Sequence, residues 1–318
     1  MIEYIHTPVL LEETLEFLAP RGKDELMIDA NIAEGGHSYA FLSKYQETGL
    51  RILGIDADSD ILAIARERLK PFADHVHFYC GWSNDFFAEY PSELKRPDTI
   101  FFDLEVSSYH YKKSGRGFTF EKDEYLDMRI DTSGGITAAD LLNRLPEREL
   151  ADLIFNNSGE RYSRRIASLI VNERQNGKIT TTSALAALIE RAVPASYRHG
   201  PIHPATRTFQ SLRIAVNREL SKLPALLEGA LRVLEPGGRL GVISFHSLED
   251  RIVKNLFRTM NKNCTCPAQA PICRCEGRRS VNVLTKKGII PGKDEIERNP
   301  PSRSARLRVV EKVNEDGQ

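Results

Sequence analysis

Leu26-Met-Ile-Asp-Ala30 and Arg51-Ile-Leu-Gly-Ile-Asp56 are two short apolar runs, each reaching an aspartate, with Glu34-Gly-Gly-His37 between them. Short apolar runs bounded by turn residues read as buried parallel strands. After the glycines an amphipathic stretch through Ser38, Ala40, Phe41 and Leu42 leads into the second run. The order strand, turn, helix, strand is a βαβ unit. Working outward, a helical run over 61–69 precedes His75-Val-His-Phe-Tyr-Cys80, a third strand in which Cys80 is expected to be buried. Thr99-Ile-Phe-Phe-Asp103 is a fourth strand. Alternation of this kind implies an α/β fold with a doubly wound sheet.

The pattern changes over 127–193, where helices are expected at 138–143, 147–155, 161–173 and 183–191. A long helix over 206–234, a turn at Pro236-Gly-Gly238 and the apolar strand Arg239-Leu-Gly-Val-Ile-Ser-Phe245 then resume the alternation. The run over 305–310 reads as an edge strand. The expected organisation is a sheet domain of 1–126 and 200–318, with an inserted α-helical domain at 127–199.

At 318 residues, 41% hydrophobic and 28% charged, the chain can bury a substantial core. No apolar run approaches the roughly 20 residues needed to span a bilayer. The N-terminus has neither the basic start nor the cleavage site of a signal peptide, so the expected location is cytoplasmic with no membrane partner. The 44 basic residues balance 44 acidic ones, and net charge therefore demands no nucleic acid. Distribution is more informative, because cations crowd 274–287 and 298–308.

In open α/β sheets ligands bind beyond the carboxyl ends of the strands. Asp29, the Gly35-Gly36 turn, Asp56 and Asp103 all fall there. Bare backbone admits close approach of a ligand, and Asp56 follows the glycines at about the 20-residue spacing of a ribose-binding acid. NAD enzymes use the same crevice, but their G-x-G-x-x-G fingerprint is replaced by E-G-G-H. Acids suit the cationic sulfonium of S-adenosylmethionine better than they suit a pyrophosphate.

Seven motifs discriminate further: His6-Thr-Pro-Val-Leu-Leu-Glu12, Glu34-Gly-Gly-His-Ser38, Arg116-Gly-Phe-Thr-Phe120, Leu126-Asp-Met-Arg129, Pro204-Ala-Thr-Arg-Thr-Phe-Gln210, Leu212-Arg-Ile-Ala-Val-Asn217 and Ser244-Phe-His-Ser-Leu-Glu-Asp-Arg251. Asn299-Pro300 and Arg303-Ser-Ala-Arg-Leu-Arg308 extend the set. In this order, over essentially the whole chain, they resemble the bacterial MraW/RsmH family of 16S ribosomal RNA (cytosine-N4) methyltransferases. The resemblance implies a Rossmann-like class I methyltransferase fold whose 127–199 insertion recognises substrate. It implies S-adenosylmethionine as cofactor, and 16S rRNA or the 30S subunit as partner, methylated at the N4 amine of a decoding-region cytidine. Cofactor contacts are implied for Gly35, Gly36, His37, Asp56 and Asp103, and by position for Ser83, next to Trp82, and His110. Glu105 stands where the family has glycine, and Asn31 and Ala33 where it tends toward threonine and glycine.

Methyl transfer from a sulfonium is an in-line displacement, so alignment of the acceptor matters most. Asp103 or the Ser107 and Ser108 hydroxyls are candidates to hold the amine hydrogens, although a serine pair at this place also reads as a helix cap. His246, just past an apolar strand, is a candidate for the substrate pocket. The alternative is a structural histidine ahead of a helix cap in 247–250, with Asp250 near the third helical position. Arg207, Gln210, Arg213 and Asn217 share a polar helical arc suited to RNA. Arg116, Phe118 and Phe120 combine guanidinium and ring faces as base-stacking sites do, and packing under a loop accounts for the rings equally well. Cys264, Cys266, Cys273 and Cys275 form a C-x-C pair of pairs whose four thiolates could hold a structural zinc. The oligomeric state is left open, with a homodimer as one option. A non-catalytic ribosome-assembly factor retaining the fold is the competing functional class.

Overall fold

The computed structural model describes residues 7–263 and 279–313. The chain divides into two compact units, 1–106 with 222–318, and 107–221. The second unit is wider on both sides than the helix-rich 127–199, because 107–126 and 200–221 pack with those helices.

In the first unit the elements run α1 (Leu11–Phe17), β1 (Leu26–Asp29), α2 (Gly36–Tyr45), β2 (Arg51–Asp56), α3 (Ser59–Arg68), β3 (Val76–Cys80), α4 (Ser83–Ala88) and β4 (Thr99–Asp103). The second unit carries α5 (Ser108–Lys112), α6 (Ala138–Arg144), α7 (Glu147–Ser158), α8 (Ser163–Glu173), α9 (Thr182–Ala192), α10 (Ala195–Arg198) and α11 (Thr206–Asn217). After α12 (Glu219–Val233), the sheet unit closes with β5 (Arg239–Ser244), α13 (Ser247–Met260), β6 (Val281–Val283), α14 (Lys293–Arg298) and β7 (Arg306–Lys312). Among the described residues no helix is long and apolar enough to cross a membrane.

The strand order is β3-β2-β1-β4-β5-β7-β6. The first five are parallel, and β7 runs antiparallel to both β5 and β6. Consecutive strand residues point to opposite faces. Accordingly Ile28, Ile100, Phe102, Leu240 and Val242 form one core with α4, α12 and α13. Met27, Ile52, Phe101, Ile243 and Leu307 form another with α1, α2 and α3. Helices therefore cover both faces, as in a doubly wound, Rossmann-like sheet.

Three expectations are corrected. Cys80 is exposed, because β3 is an edge strand and only its first residue is buried. The run 305–310 lies inside the sheet, since the three-residue β6 takes the edge beside β7. The stretch 206–234 is two helices rather than one. Arg218 adopts a left-handed φ of 54°, while the Asn217 amide donates to the Arg213 carbonyl at 3.0 Å, competing with the helical backbone for that acceptor.

In the second unit Leu142, Leu150, Ile154, Ile166, Ile170, Leu185, Ile189 and Leu212 converge on a separate core. Its α6 begins on a capping box, in which the Thr137 hydroxyl accepts from the Asp140 amide and the Asp140 carboxylate accepts from the Thr137 amide.

Phe102 is fully buried in β4, with its ring 5.8 Å from that of Phe87. Phe102→Ala is expected to lower unfolding free energy by about 3–5 kcal/mol, read as a lowered denaturant midpoint.

Candidate active site

Parallel register sets one rim of the sheet. Asp29, Asp56 and Asp103 are the last residues of β1, β2 and β4, three neighbouring strands. Asp29 and Asp103 are buried and Asp56 is half-buried; a polypeptide would rarely bury acids for stability alone, because desolvation disfavours the charged form. Burial pushes Asp29 up to about 7, opposed by the Ser38 hydroxyl donated to its Oδ2 at 2.6 Å and reinforced by the nearby Asp56. Burial and then the Glu105 carboxylate push Asp103 well above the usual carboxylate range, with Asp29 and Glu249 adding to the effect. Glu105 thus has a definite electrostatic role, and its amide donates to Asp103 Oδ1 at 3.2 Å.

Between β1 and α2 the chain turns through Ala33 and Gly35, at φ of 47° and 75°. Left-handed backbone suits Gly35, where the absence of Cβ removes the steric penalty. Gly36 faces a different constraint: a Cβ there would lie 2.6 Å from Pro8 Cγ. The Asp56 carboxylate fixes this turn from the next strand, accepting from the Ala33 amide at 3.1 Å and from the Asp58 amide at 3.0 Å. His37 follows in the first turn of α2. Its Nε2 donates to the Val9 carbonyl at 3.0 Å, so Nε2 carries the proton, and Nδ1 faces Asp103 Oδ2 at 3.6 Å. That approach is attractive only with one further proton between the two groups, which the upward-shifted Asp103 supplies.

Ser83 opens α4, buried, and its hydroxyl donates to the Ala30 carbonyl, tying α4 to the end of β1. Beside it, the Trp82 ring already carries the Lys222 ammonium 4.7 Å from its centroid.

His246 caps α13. Its Nδ1 accepts from the Glu249 amide at 3.4 Å, its Nε2 lies 3.1 Å from Glu249 Oε1, and Glu249 accepts from the Phe245 amide at 2.9 Å. The third helical position is therefore Glu249, and His246 is itself the cap. Sequence rules favour Ser, Thr, Asp or Asn as caps, so the ring was not recognisable in that role. Asp250 instead takes the Arg308 guanidinium through two contacts, at 2.7 and 3.1 Å.

The remaining candidates belong to the second unit. Ser107 is the cap of α5, accepting from the Tyr109 amide at 3.2 Å, and Ser108 is the first helical residue. His110 is buried with its ring 4.9 Å from that of Phe118. Phe120 stacks on His203 at 4.4 Å and meets Phe209 edge-on. Arg116 donates to the Ile130 carbonyl at 2.9 Å. In the polar arc of α11, Arg213 forms a two-pronged pair with Glu219, at 3.0 and 2.9 Å, and donates to the Tyr111 hydroxyl. Asn217 donates to the Met128 carbonyl at 2.8 Å and accepts from the Ile130 amide at 2.9 Å, stitching that segment to the helix. Arg207 and Gln210 are half-buried on the same arc. Cys264, Cys266, Cys273 and Cys275 lie outside the described residues, and zinc finds no support.

The rim fits a cationic ligand with hydrogen-bond donors. Asp29 Oδ1 and Asn31 Oδ1 are buried oxygens with no hydrogen-bond partner among the described residues. Such atoms cost about 1–3 kcal/mol unless a donor reaches them. Asn31 stands out in the sequence only as a departure from the resembled family, since a single amide in a turn carries no spacing signal for a site.

A model of the MraW methylase family matches residues 3–313. A protein of Treponema denticola named ribosomal RNA small subunit methyltransferase H is 54% identical over 310 residues, covering 98% of each chain. A protein of the same name from Heliobacterium mobile is 44% identical, covering 98% of this chain and all of its own. Among solved structures, an rRNA methylase from Streptococcus thermophilus matches at 12% identity with a TM-score of 0.41, covering 98% of this chain and 100% of that one.

Because Asp29 is raised from 3.8 to about 7, the folded protein holds a proton that the unfolded chain has released between those values. Its stabilising contribution is complete below 3.8 and is lost as pH rises through about 7. Asp29→Asn is expected to flatten that part of the stability profile, read from denaturant midpoints across the pH range.

Proposed function

The chain belongs to the MraW methylase family, and from that membership we propose that it is an S-adenosylmethionine-dependent methyltransferase of small-subunit ribosomal RNA, acting on the N4 amine of a decoding-region cytidine. The observation that carries the cofactor assignment is the gathering of Asp29, Asp56 and Asp103 at adjacent strand ends beside a left-handed glycine turn. Carboxylates at that density repel a pyrophosphate and attract a cation. Bound there, S-adenosylmethionine supplies an electrophilic methyl group on a positively charged sulfur.

Asp56 accepts hydrogen bonds from the ribose hydroxyls, and Gly35, Gly36 and His37 give the adenosyl group a bare and rigid wall. Asp29 and Asn31 accept from the amino-acid end, while Ser83 holds the floor of the site. Asp103 serves both partners: near the sulfonium its ionised form is favoured, and that form accepts a hydrogen from the cytosine amine. Alignment alone supplies about 7–11 kcal/mol in favourable intramolecular cases. No strong base is required, since the nitrogen sheds its proton after the new bond forms. His246 acts as a positioning residue through the helix start that it caps; in the helical unit Ser107 caps α5, whose first turn carries Ser108 and His110.

We assign RNA recognition to the helical unit. Arg207 and Gln210 offer donors for it, while Arg116, Arg213 and Asn217 hold the surrounding wall together. Phe118 packs inside, and Phe120 with His203 presents a stacked pair. The protein is thereby an enzyme of the small subunit's maturation rather than a passive assembly factor.

Tritium from methyl-labelled cofactor should pass to 30S subunits made without the modification, in RNase-sensitive, DNase-resistant form, and nucleoside chromatography should show N4-methylcytidine. Cofactor binding with no transfer would favour the assembly-factor reading. Asp56→Asn should weaken cofactor binding by about ten- to a hundred-fold, the worth of one or two hydrogen bonds to a charged group, as measured by calorimetry. Binding of the sulfonium near pH 7 should also release protons from the raised Asp29 and Asp103, and the demethylated, uncharged product should release fewer. Calorimetry in buffers of different ionisation enthalpy reads that difference.

A further inference from the structure

The sheet's far edge carries a second concavity. Between α13 and the β6–β7 edge lies a cavity of about 220 Å³, lined by Phe257 and Val283 and rimmed by Lys254, Arg258 and Lys286, with no acid among the described residues of its lining. It falls below the roughly 300–1,000 Å³ of pockets that enclose a drug-sized ligand, so it suits a single ring system and not a whole cofactor. Phe257 is buried, and Lys254, Arg258 and Lys286 are exposed. Lys254 and Lys286 make no ion pair among the described residues, whereas Arg308, at the base, is taken up by Asp250.

An apolar floor ringed by uncommitted cations is complementary to a planar ring joined to anions. We propose that this pocket receives an unpaired base of the substrate RNA, with the flanking phosphates on Lys254, Arg258 and Lys286. The inference rests on the rRNA reading above and extends it to a contact surface whose lining includes none of the three strand-end aspartates. Single-stranded RNA is bound elsewhere by unstacked bases set against apolar surface beside a positively charged track; here Val283, half-buried, supplies that surface above the buried Phe257. Lys286 belongs to the cation-rich stretch at 274–287, and the pocket gives this lysine a definite role.

The test uses the full chain with two probes, 30S subunits lacking the modification and protein-free 16S rRNA. Lys254→Glu combined with Lys286→Glu changes only exposed side chains. It should weaken binding of both probes by about ten-fold and lower the slope of log affinity against log salt by about two, one for each lost phosphate contact. The subunit KM should rise while kcat and cofactor affinity hold. Val283→Phe, which fills the cavity, should weaken binding with the salt slope unchanged, because the phosphate contacts survive; its melting temperature reports whether the core tolerates the ring. Unchanged affinity and slope in the double variant would overturn the proposal. Loss of 30S binding with naked rRNA binding intact would also overturn it, pointing to an acidic ribosomal protein as the occupant. Failure of the enzymatic reading is distinct: wild-type protein would bind RNA with the full salt slope and transfer no methyl group.

Discussion

Everything at the strand-end rim depends on two carboxylates, Asp29 and Asp103, withdrawn from water at the ends of hydrogen-bonded strands. Asp29 pairs in register with Gly54 and Asp103 with Ile243, so neither can move without breaking the sheet. Like charges add to the effect of burial: Asp56 pushes Asp29 up, and Glu105, Asp29 and Glu249 push Asp103 up. Protonated forms of Asp29 and Asp103 are favoured accordingly. Ser38, the Glu105 amide and His37 mitigate the burial without neutralising it. The unfavourable desolvation is offset by the two apolar cores on either face of the same strands. An acid kept buried and protonated at a ligand-binding rim is poised to ionise when a cation arrives.

Much of this was readable in the sequence, because the signal was local. Apolar runs ending in Asp29, Asp56 and Asp103 identify strands and rim together, and the glycines between the first two identify the turn. What escaped was non-local or too short to carry a pattern. Val281–Val283 is three residues, and without it β7 was expected at the edge. Whether Cys80 is buried depends on which strand stands beside β3, and no residue of β3 encodes that neighbour. The left-handed Arg218 has no compositional mark, since Arg is not a residue that favours that region.

The candidate residues divide along the same line. Asp56 and the glycine turn could be read from spacing. Arg213 and Asn217 were placed on the correct helical arc, but their engagement with Tyr111, Met128 and Ile130 spans more than eighty positions of chain and leaves no trace in periodicity. The same holds for Phe118, whose neighbour ring His110 lies on α5. Residues that look suited to a ligand are frequently already partnered, and only the fold reveals which.

Overall neutrality, 44 charges of each sign, conceals a segregation. Where charges are structural they pair: Asp250 with Arg308, Glu219 with Arg213, and Asp127 with Arg129. Paired charges in proximity largely cancel at distances beyond the Debye length, about 10 Å at 0.1 M salt. Beside these pairs stand the acid rim at the ends of β1, β2 and β4, the cations beside α13 and β6, and Arg207 on α11. A methyl donor that is cationic and an acceptor polymer that is anionic need opposite potentials on one protein. Placing acids inside the sheet rim and cations on the outer edge meets both demands, because the buried rim is screened little by salt while the exposed edge is screened strongly. On the proposed reading, proton occupancy of the buried rim governs cofactor affinity, and ionic strength governs RNA affinity at the exposed edge.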